Sequence, residues 1–266
     1  MNGDGADTRD QSDNEVEPGA ARPNRITRLS LPESDPTRIR HAQMRAVRPA
    51  VEQGQDLVQN LALDPRVALI AVANGMVKQT VLDDVNKRLS DLPEPVRDLM
   101  QAHGVRIFVS GLSASKNVAP AIARSMKTTH GIYAPELREI HIHNTAVNRG
   151  SHEYTALHET GHAVDHALGH LRAAQGEIGQ VGTATGEGHT HDLSGQPYGV
   201  ALWKRERSNK ALPKNMLRDS SEFFADAFAL YHKSPDFLKK IAPTAYNYME
   251  TIHDEIKERR DRAKQG

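Results

Sequence analysis

Two histidines and an acid stand at a spacing that can hold and use a metal ion, in the run His158-Glu159-Thr160-Gly161-His162. On a helix, His158 and His162 lie one turn apart on one face. Two neutral imidazoles in that arrangement can share one tetrahedral Zn²⁺. Glu159 lies about 100° around the helix from His158, so its carboxylate can reach a zinc-bound water and activate it. The spacing predicts the site of a zinc-dependent hydrolase.

The residues around this motif have the pattern of one continuous helix. We predict that it follows an N-cap at Ser151 and ends at Gly169, where a helix that closes in a left-handed residue favours glycine. A chain with 14 histidines can contain such a motif by chance, and an apolar stripe on the same helix argues against chance. The stripe consists of Leu157, Gly161, Val164 and Leu168.

The composition excludes several kinds of site and partner. The chain has no cysteine, so histidines and carboxylates must hold any zinc. Lys and Arg (34) balance Asp and Glu (34), which gives no reason to expect a nucleic-acid partner. The apolar run 67–77 is too short to span a bilayer, and no signal peptide is recognisable. We expect a protein that is cytoplasmic or secreted by a signal-independent route.

The order of the predicted elements indicates three regions. Residues 1–24 are poor in apolar side chains and are predicted to be disordered. Residues 25–90 are predicted to form a helical N-terminal region, with one helical run over 67–89. Residues 91–266 are predicted to form an α+β domain, in which the Gly- and His-rich segment 176–199 is a loop near the site. Its later helices are predicted at 219–232, 236–241 and 243–264.

Short segments of β type precede the motif helix. They are 105–110, 131–133 and 139–143. In the last of them, alternation places Ile140 and Ile142 toward the core and His141 and His143 toward solvent. If this strand lies at the edge of the sheet, its free backbone groups can pair with an extended peptide.

A catalytic zinc takes three protein ligands and a water, so the motif needs one further ligand. In one class of enzymes that ligand lies six residues after the second histidine, and Leu168 at that position excludes the class. Another class takes a Glu from a downstream helix, and the run 219–228 fits, with Glu222 and Asp226 on one face. We predict that Glu222 binds zinc and that Asp226 fixes the tautomer of a ligand histidine. The alternative is that Glu222 only stabilises the start of its helix through the helix dipole.

Two segments resemble the catalytic domain of anthrax lethal factor and the related Pro-Pro endopeptidases. They are His-Glu-Thr-Gly-His-Ala-Val-Asp at 158–165 and Glu-Phe-Phe-Ala-Asp-Ala-Phe at 222–228. The resemblance runs from about Leu92 to the C-terminus and implies a zincin-like metalloprotease domain of the Glu-ligand type (a gluzincin), used in that family in toxins. It implies one Zn²⁺ held by His158, His162 and Glu222, with Glu159 as general base and Asp165 as a supporting residue.

The chain departs from that family at the group that stabilises the oxyanion. The family carries a Tyr a few residues before the ligand Glu, and the stretch 212–217 contains none. Two replacements remain open: Tyr198, or a histidine of the loop 176–199.

These patterns favour peptide-bond hydrolysis by a zinc-activated water over two alternatives. A zinc-stabilised binding or regulatory domain with impaired catalysis would explain the missing Tyr, but it has no use for the base Glu159. Hydrolysis of a small non-peptide amide would call for a deep closed pocket, whereas an open groove along an edge strand suits a protein. We expect a protein or peptide substrate that binds extended along the strand at 139–143.

Overall fold

A computed structural model describes residues 52–63, 68–111, 113–114, 118–144, 152–175 and 197–265. These residues are mostly helical with a small four-stranded sheet, which confirms the predicted α+β class. The predicted tail 1–24, the predicted cap Ser151 and most of the predicted loop, 176–196, lie outside the described residues. Among the helices that the structure describes, none is long and apolar enough to cross a membrane.

Helices and strands alternate in the first half of the described chain, and helices alone form the second half. The first half comprises α1 (52–62), β1 (Ala71–Asn74), α2 (Gln79–Ser90), α3 (Glu94–Ala102), β2 (Arg106–Gly111), α4 (Pro120–Thr128), β3 (Gly131–Ala134) and β4 (Glu139–Asn144). The second half comprises α5 (His152–Ala174), α6 (Pro197–Glu206), a 3₁₀ turn (Asn215–Leu217), α7 (Ser220–Lys233), α8 (Pro235–Ile241) and α9 (Pro243–Gln265).

The sheet has the strand order β1-β2-β4-β3. Strands β1, β2 and β4 are parallel, and β3 pairs antiparallel with β4. The prediction that the strand at 139–143 is an edge strand is wrong, because β4 is hydrogen-bonded to β2 on one side and to β3 on the other. In the described sheet, β3 lies at the edge next to β4.

Residues 71–74 form a strand where a helical run was predicted. Ala71 pairs with Ile107 and Asn74 with Ser110 in a parallel register. The periodicity of a short apolar run cannot distinguish a strand from a buried helix. The pairing with β2 therefore decides the conformation of residues 71–74. The predicted helix begins only at Gln79. The sheet thereby joins residues on both sides of position 91, where the domain boundary is predicted.

Strand β4 is buried on both faces, which corrects the prediction for its histidines. His141 and His143 are 1% and 0% exposed, whereas solvent exposure was predicted. His141 Nδ1 lies 2.9 Å from Ser110 Oγ of β2, and His143 Nε2 lies 3.3 Å from Ser125 Oγ of α4. Ser125 of α4 lies against His143, and the ring of Phe108 on β2 stacks on that of His141. Strand alternation therefore does not lead to solvent here, and the polar partners compensate the burial.

Helix α5 carries the motif and is buried along most of its length. All four residues of the predicted apolar stripe are buried. The helix does not end at Gly169 but continues to Ala174, because Leu171 and Ala173 beyond the glycine are also buried in the core. Tertiary packing thus overrides the local preference of glycine for a helix end.

Candidate metal centre

Helices α5 and α7 bring the three predicted ligands together. His158 Nε2 lies 3.3 Å from Glu222 Oε2, and His162 Nε2 lies 3.7 Å from Glu222 Oε1. One donor atom of each residue lies within 4.8 Å of the other two. A metal about 2.0–2.2 Å from each donor would hold them about 3.4 Å apart. Small side-chain shifts therefore suffice for all three to share one ion.

The close approach of the two helices depends on Gly161. A Cβ at this position would lie 2.8 Å from Ala225 Cα and 3.1 Å from Phe228 Cβ of α7. Both are shorter than ordinary van der Waals contacts, so only glycine allows α7 to lie this close to α5. Gly161 directly precedes His162, and Ala225 lies three residues after Glu222. The contact between Gly161 and Ala225 therefore also sets the distance between His162 and Glu222.

Replacing Gly161 by Ala is expected to lower both the stability of the fold and the affinity for metal. Overpacking of a core costs about 1–3 kcal/mol, of which the higher helix propensity of alanine returns about 1 kcal/mol. Separation of the helices also moves His162 away from Glu222. Thermal unfolding and competitive chelation would measure the two effects, and unchanged values of both would contradict the close packing.

The start of α7 turns Glu222 toward α5. The N-cap is Asp219, whose Oδ1 accepts a hydrogen bond of 2.8 Å from the backbone N–H of Glu222. Glu222 does lie in the first turn, where the helix dipole favours an acid. Its carboxylate also faces both histidines, so the dipole alone does not account for its position.

Each motif histidine is held through Nδ1, the ring nitrogen that faces away from the other ligand candidates. His158 Nδ1 donates a hydrogen bond of 2.7 Å to Asp226 Oδ1, and His162 Nδ1 lies 3.1 Å from Ser221 Oγ. An N–H at Nδ1 leaves Nε2 with the lone pair that a metal requires. The structure thus brings Asp226 to the predicted place. Ser221 was not predicted, because a serine in the first turn of a helix is too common to indicate such a role.

Tyr154 and Asn215 extend the hydrogen-bond network around Asp226. Tyr154 Oη donates to Asp226 Oδ1 at 2.9 Å. Asn215 Nδ2 donates to Glu222 Oε2 at 2.6 Å and to Asp226 Oδ2 at 3.3 Å. Sequence reasoning missed both. Tyr154 lies four residues before His158, a spacing that could have indicated it, whereas Asn215 lies in a short turn without any periodic pattern.

The two motif histidines differ in their electrostatics. Burial lowers the pKa of His162 to about 3, so its imidazole is neutral. Burial also acts to lower the pKa of His158, but its hydrogen bonds to Asp226 and Glu222 outweigh that effect and raise the pKa to about 10. The carboxylates around His158 therefore stabilise a positive charge at this position, whether a proton or a metal ion carries it.

Glu159 lies beneath β3, beside the three ligand candidates. Its carboxylate accepts a hydrogen bond from the backbone N–H of Tyr133, and a Cβ on Gly131 would lie only 2.9 Å from its Oε1. Burial raises the pKa of Glu159 to about 7, against the lowering effect of the His158 charge. A carboxyl group that titrates near neutrality can both accept and return a proton.

These residues open into a pocket of about 320 Å³ between β3 and α7. Its lining includes His158, Glu159, His162, Arg218, Ser221, Glu222 and residues of β3. A larger hollow of about 630 Å³ lies between α1, β1 and β2, and among its described lining residues the ionisable ones are Asp98 and Arg106. The smaller pocket therefore contains the candidate metal centre.

Comparison with known families supports the resemblance carried by the two motifs. A family model described as "Anthrax toxin lethal factor, N- and C-terminal domain" matches residues 59–252. The chain belongs to this family. The match begins well before Leu92, where the resemblance was predicted to start, and includes β1 and α2. No curated protein matches the chain.

Among solved structures, the chain is similar to the Pro-Pro endopeptidase PPEP-2 from Paenibacillus alvei. The similarity covers 74% of this chain and 99% of that one, at 20% sequence identity and a TM-score of 0.45.

The stretch 212–217 before Glu222 contains no tyrosine, although the resemblance implies one there. Tyr198, one proposed replacement, lies on α6 with its ring 5.3 Å from that of Tyr248, and it does not line the pocket. The loop histidines lie outside the described residues. Arg218 does line the pocket: its side chain is 62% exposed, its Nη2 hydrogen-bonds Glu222 Oε1, and its Nε donates to Asp219 Oδ2 at 3.1 Å.

Asp165, which the resemblance implies as a supporting residue, is 1% exposed and lies two turns beyond His158 on α5. Burial is the main cause that raises the pKa of Tyr248, and the charge of Asp165 raises it further. The supporting role of Asp165 stays a prediction.

Replacing Asp226 by Ala is expected to weaken metal affinity or activity by about 10- to 100-fold while all three ligand candidates remain. The variant loses the hydrogen bond that holds His158 in the tautomer with its lone pair on Nε2. Tyr154→Phe removes one bond to the same carboxylate and should have a smaller effect. Competitive chelation measures both; unchanged affinity and turnover in Asp226→Ala would remove Asp226 from the site.

Proposed function

We propose that the chain is a zinc-dependent endopeptidase that hydrolyses peptide bonds in a protein substrate. The observation that carries the proposal is the convergence of His158, His162 and Glu222 beside the buried acid Glu159. Two imidazoles and one carboxylate are a donor set of catalytic zinc sites, which keep the fourth position open. Membership of the lethal factor family agrees with this activity. Use as a toxin or effector stays a prediction.

The acid beside the ligands is suited to the proton transfers of hydrolysis. Zinc, when bound, supplies a Lewis acid that lowers the pKa of water to about 7 and polarises the scissile carbonyl. We assign to Glu159 the removal of the proton from the attacking water and its delivery to the leaving amine. Its burial under β3 and its pKa of about 7 support both transfers.

The substrate is assigned to β3 instead of the strand at 139–143. In the described sheet β3 pairs on one side only, and Gly131, Ile132 and Tyr133 line the pocket. An extended peptide that adds to such an edge is aligned by main-chain hydrogen bonds. A peptide bound along β3 would pass close to Glu159, because Gly131 of that strand lies against this side chain. This open edge favours a protein substrate over a small amide.

Arg218 is assigned the stabilisation of the carbonyl oxygen, in place of the family tyrosine. Its guanidinium lies at the pocket wall next to Glu222 and is largely exposed to the pocket and solvent. Negative charge that develops on the substrate oxygen is stabilised by a preorganised donor of this kind. Asn215 is the less suitable group, because its two amide N–H donors are already used by Glu222 and Asp226, whereas a guanidinium has five donors.

Cleavage of a proteome-derived peptide library tests the proposed activity. Zinc-loaded protein is expected to generate a defined set of new N-termini, detected by mass spectrometry. The cleavage should disappear on chelation and return with zinc. If folded, zinc-loaded protein generates no new termini, the alternative of a zinc-stabilised binding domain replaces the proposal.

A further inference from the structure

A second cluster of histidines lies on α5 beyond the candidate metal centre. His166 and His170 continue the four-residue spacing of His158 and His162, and His103 at the end of α3 packs against them. The ring centroids of these three histidines are 4.2–5.4 Å apart. One ring nitrogen of each lies within 4.8 Å of the other two. None of the three takes part in the proposed hydrolysis.

We propose that His103, His166 and His170 form a second zinc site. Three imidazoles without a carboxylate favour Zn²⁺ or a similar transition-metal ion, because Ca²⁺ and Mg²⁺ require oxygen ligands. His166 and His170 lie on one face of the helix one turn apart, which is the arrangement of two imidazoles that share an ion. His103 supplies the third ligand from a different element.

The distances within the cluster suit a shared ion. His103 Nε2 lies 3.4 Å from His166 Nδ1. Two nitrogens bound to one tetrahedral zinc are separated by about 3.4 Å, whereas a good hydrogen bond from an N–H is about 2.9–3.0 Å long. Tyr133 Oη lies 2.8 Å from the same His166 nitrogen. At this distance the two atoms share a hydrogen bond, and a small shift of the hydroxyl would bring it to the position of a fourth ligand.

The environment of His103 keeps it in the form that binds metal. The residue is 1% exposed, and its Nδ1 is buried without a hydrogen-bond partner among the described residues. Burial, together with the nearby His166, Arg138 and His170, holds the pKa of His103 well below its ordinary value. A neutral imidazole is the protonation form of histidine that binds a metal ion.

A metal in this cluster would join three elements of the fold. His103 follows α3, His166 and His170 belong to α5, and Tyr133 belongs to β3. The backbone of Tyr133 also donates to Glu159. Zinc here would thus fix the strand that borders the candidate metal centre. Binding at this site does not depend on the proposed peptidase activity, and its test is a metal count.

Metal counting on three proteins separates the two sites. After equilibration with zinc and desalting, the wild type is expected to hold about two ions per chain. The double variant His166→Asn, His170→Asn should hold about one. A matched control removes another histidine pair that is partly buried, His232 and His253, whose Nε2 atoms lie 2.9 Å apart, and it should still hold about two. One ion in the wild type, or no loss in the His166, His170 variant, would overturn the proposal.

A protein without the first site measures the second site by itself. In the variant His162→Ala, Glu222→Ala, Co²⁺ should give the visible absorption of a four-coordinate ion, and zinc should raise the unfolding temperature. Neither effect should survive the addition of His166→Asn and His170→Asn. Absence of both effects in the starting variant, or their persistence after the two substitutions, contradicts a site at these histidines.

Discussion

Replacing Glu159 by Gln is expected to lower kcat by about 10²- to 10⁴-fold, the usual contribution of a general acid or base. Glutamine preserves the shape of the side chain, which matters because Gly131 lies against it. It cannot accept the proton of the attacking water. The three ligand candidates are untouched, so zinc content should stay at the wild-type level. Peptide turnover and zinc content, measured on the same preparation, check the two expectations together.

Glu153→Gln is the matched control for that substitution. Glu153 lies in the first turn of the same helix, where it forms an ion pair of 3.2 Å with Arg88. Loss of this partly exposed pair should leave turnover unchanged. If Glu159→Gln retained more than about a tenth of the wild-type activity, Glu159 would not be the base. If it lost zinc together with activity, its role would be to bind or position the metal.

Replacing Arg218 by Ala is expected to lower kcat by about 10²- to 10³-fold, the cost of removing one oxyanion donor. The expected change in KM is smaller, because the guanidinium acts on charge that develops during the reaction. Arg218→Lys should restore part of the activity, since it keeps a positive charge but loses the planar fork of donors. Steady-state kinetics on one library-derived peptide would separate kcat from KM.

The contact between Arg218 and Glu222 offers a competing explanation for such a loss. If the arginine only positions Glu222, the zinc affinity of Arg218→Ala should fall in parallel with its activity. Lys214→Ala removes an exposed positive charge four residues away and should leave both quantities unchanged. Wild-type turnover in Arg218→Ala would leave the oxyanion donor unassigned.

The candidate site could be predicted largely because its patterns are local. His158, Glu159 and His162 lie within two turns of one helix, and Glu222 and Asp226 lie within two turns of another. Helical spacing alone therefore gives their relative directions. Arg218 and Asn215 come from a short turn, where no period relates sequence to direction. Their contacts with Glu222 depend on the position of α7 and are not readable from the sequence.

The errors in the fold concern features that depend on distant parts of the chain. The strand at 71–74 forms because residues 106–111 offer a parallel partner, which no local pattern can indicate. His143 is buried against Ser125 of α4, on a face that alternation assigned to solvent. The central position of β4 likewise follows from its pairing with β2, more than 30 residues earlier in the chain.

The second histidine cluster shows the same division between local and distant information. The spacing of His166 and His170 is readable from the sequence, but His103 joins them from a position 63 residues before His166. Without the third ring, two histidines on a buried helix indicate no particular function.

Anomalous diffraction from crystals of the zinc-loaded protein, measured on both sides of the zinc absorption edge, would locate the metal directly. We expect a peak about 2.0–2.2 Å from Nε2 of His158, from Nε2 of His162 and from a carboxylate oxygen of Glu222. A protein that cleaves peptides in a zinc-dependent manner, yet shows no peak between these three side chains, would contradict the proposed catalytic site.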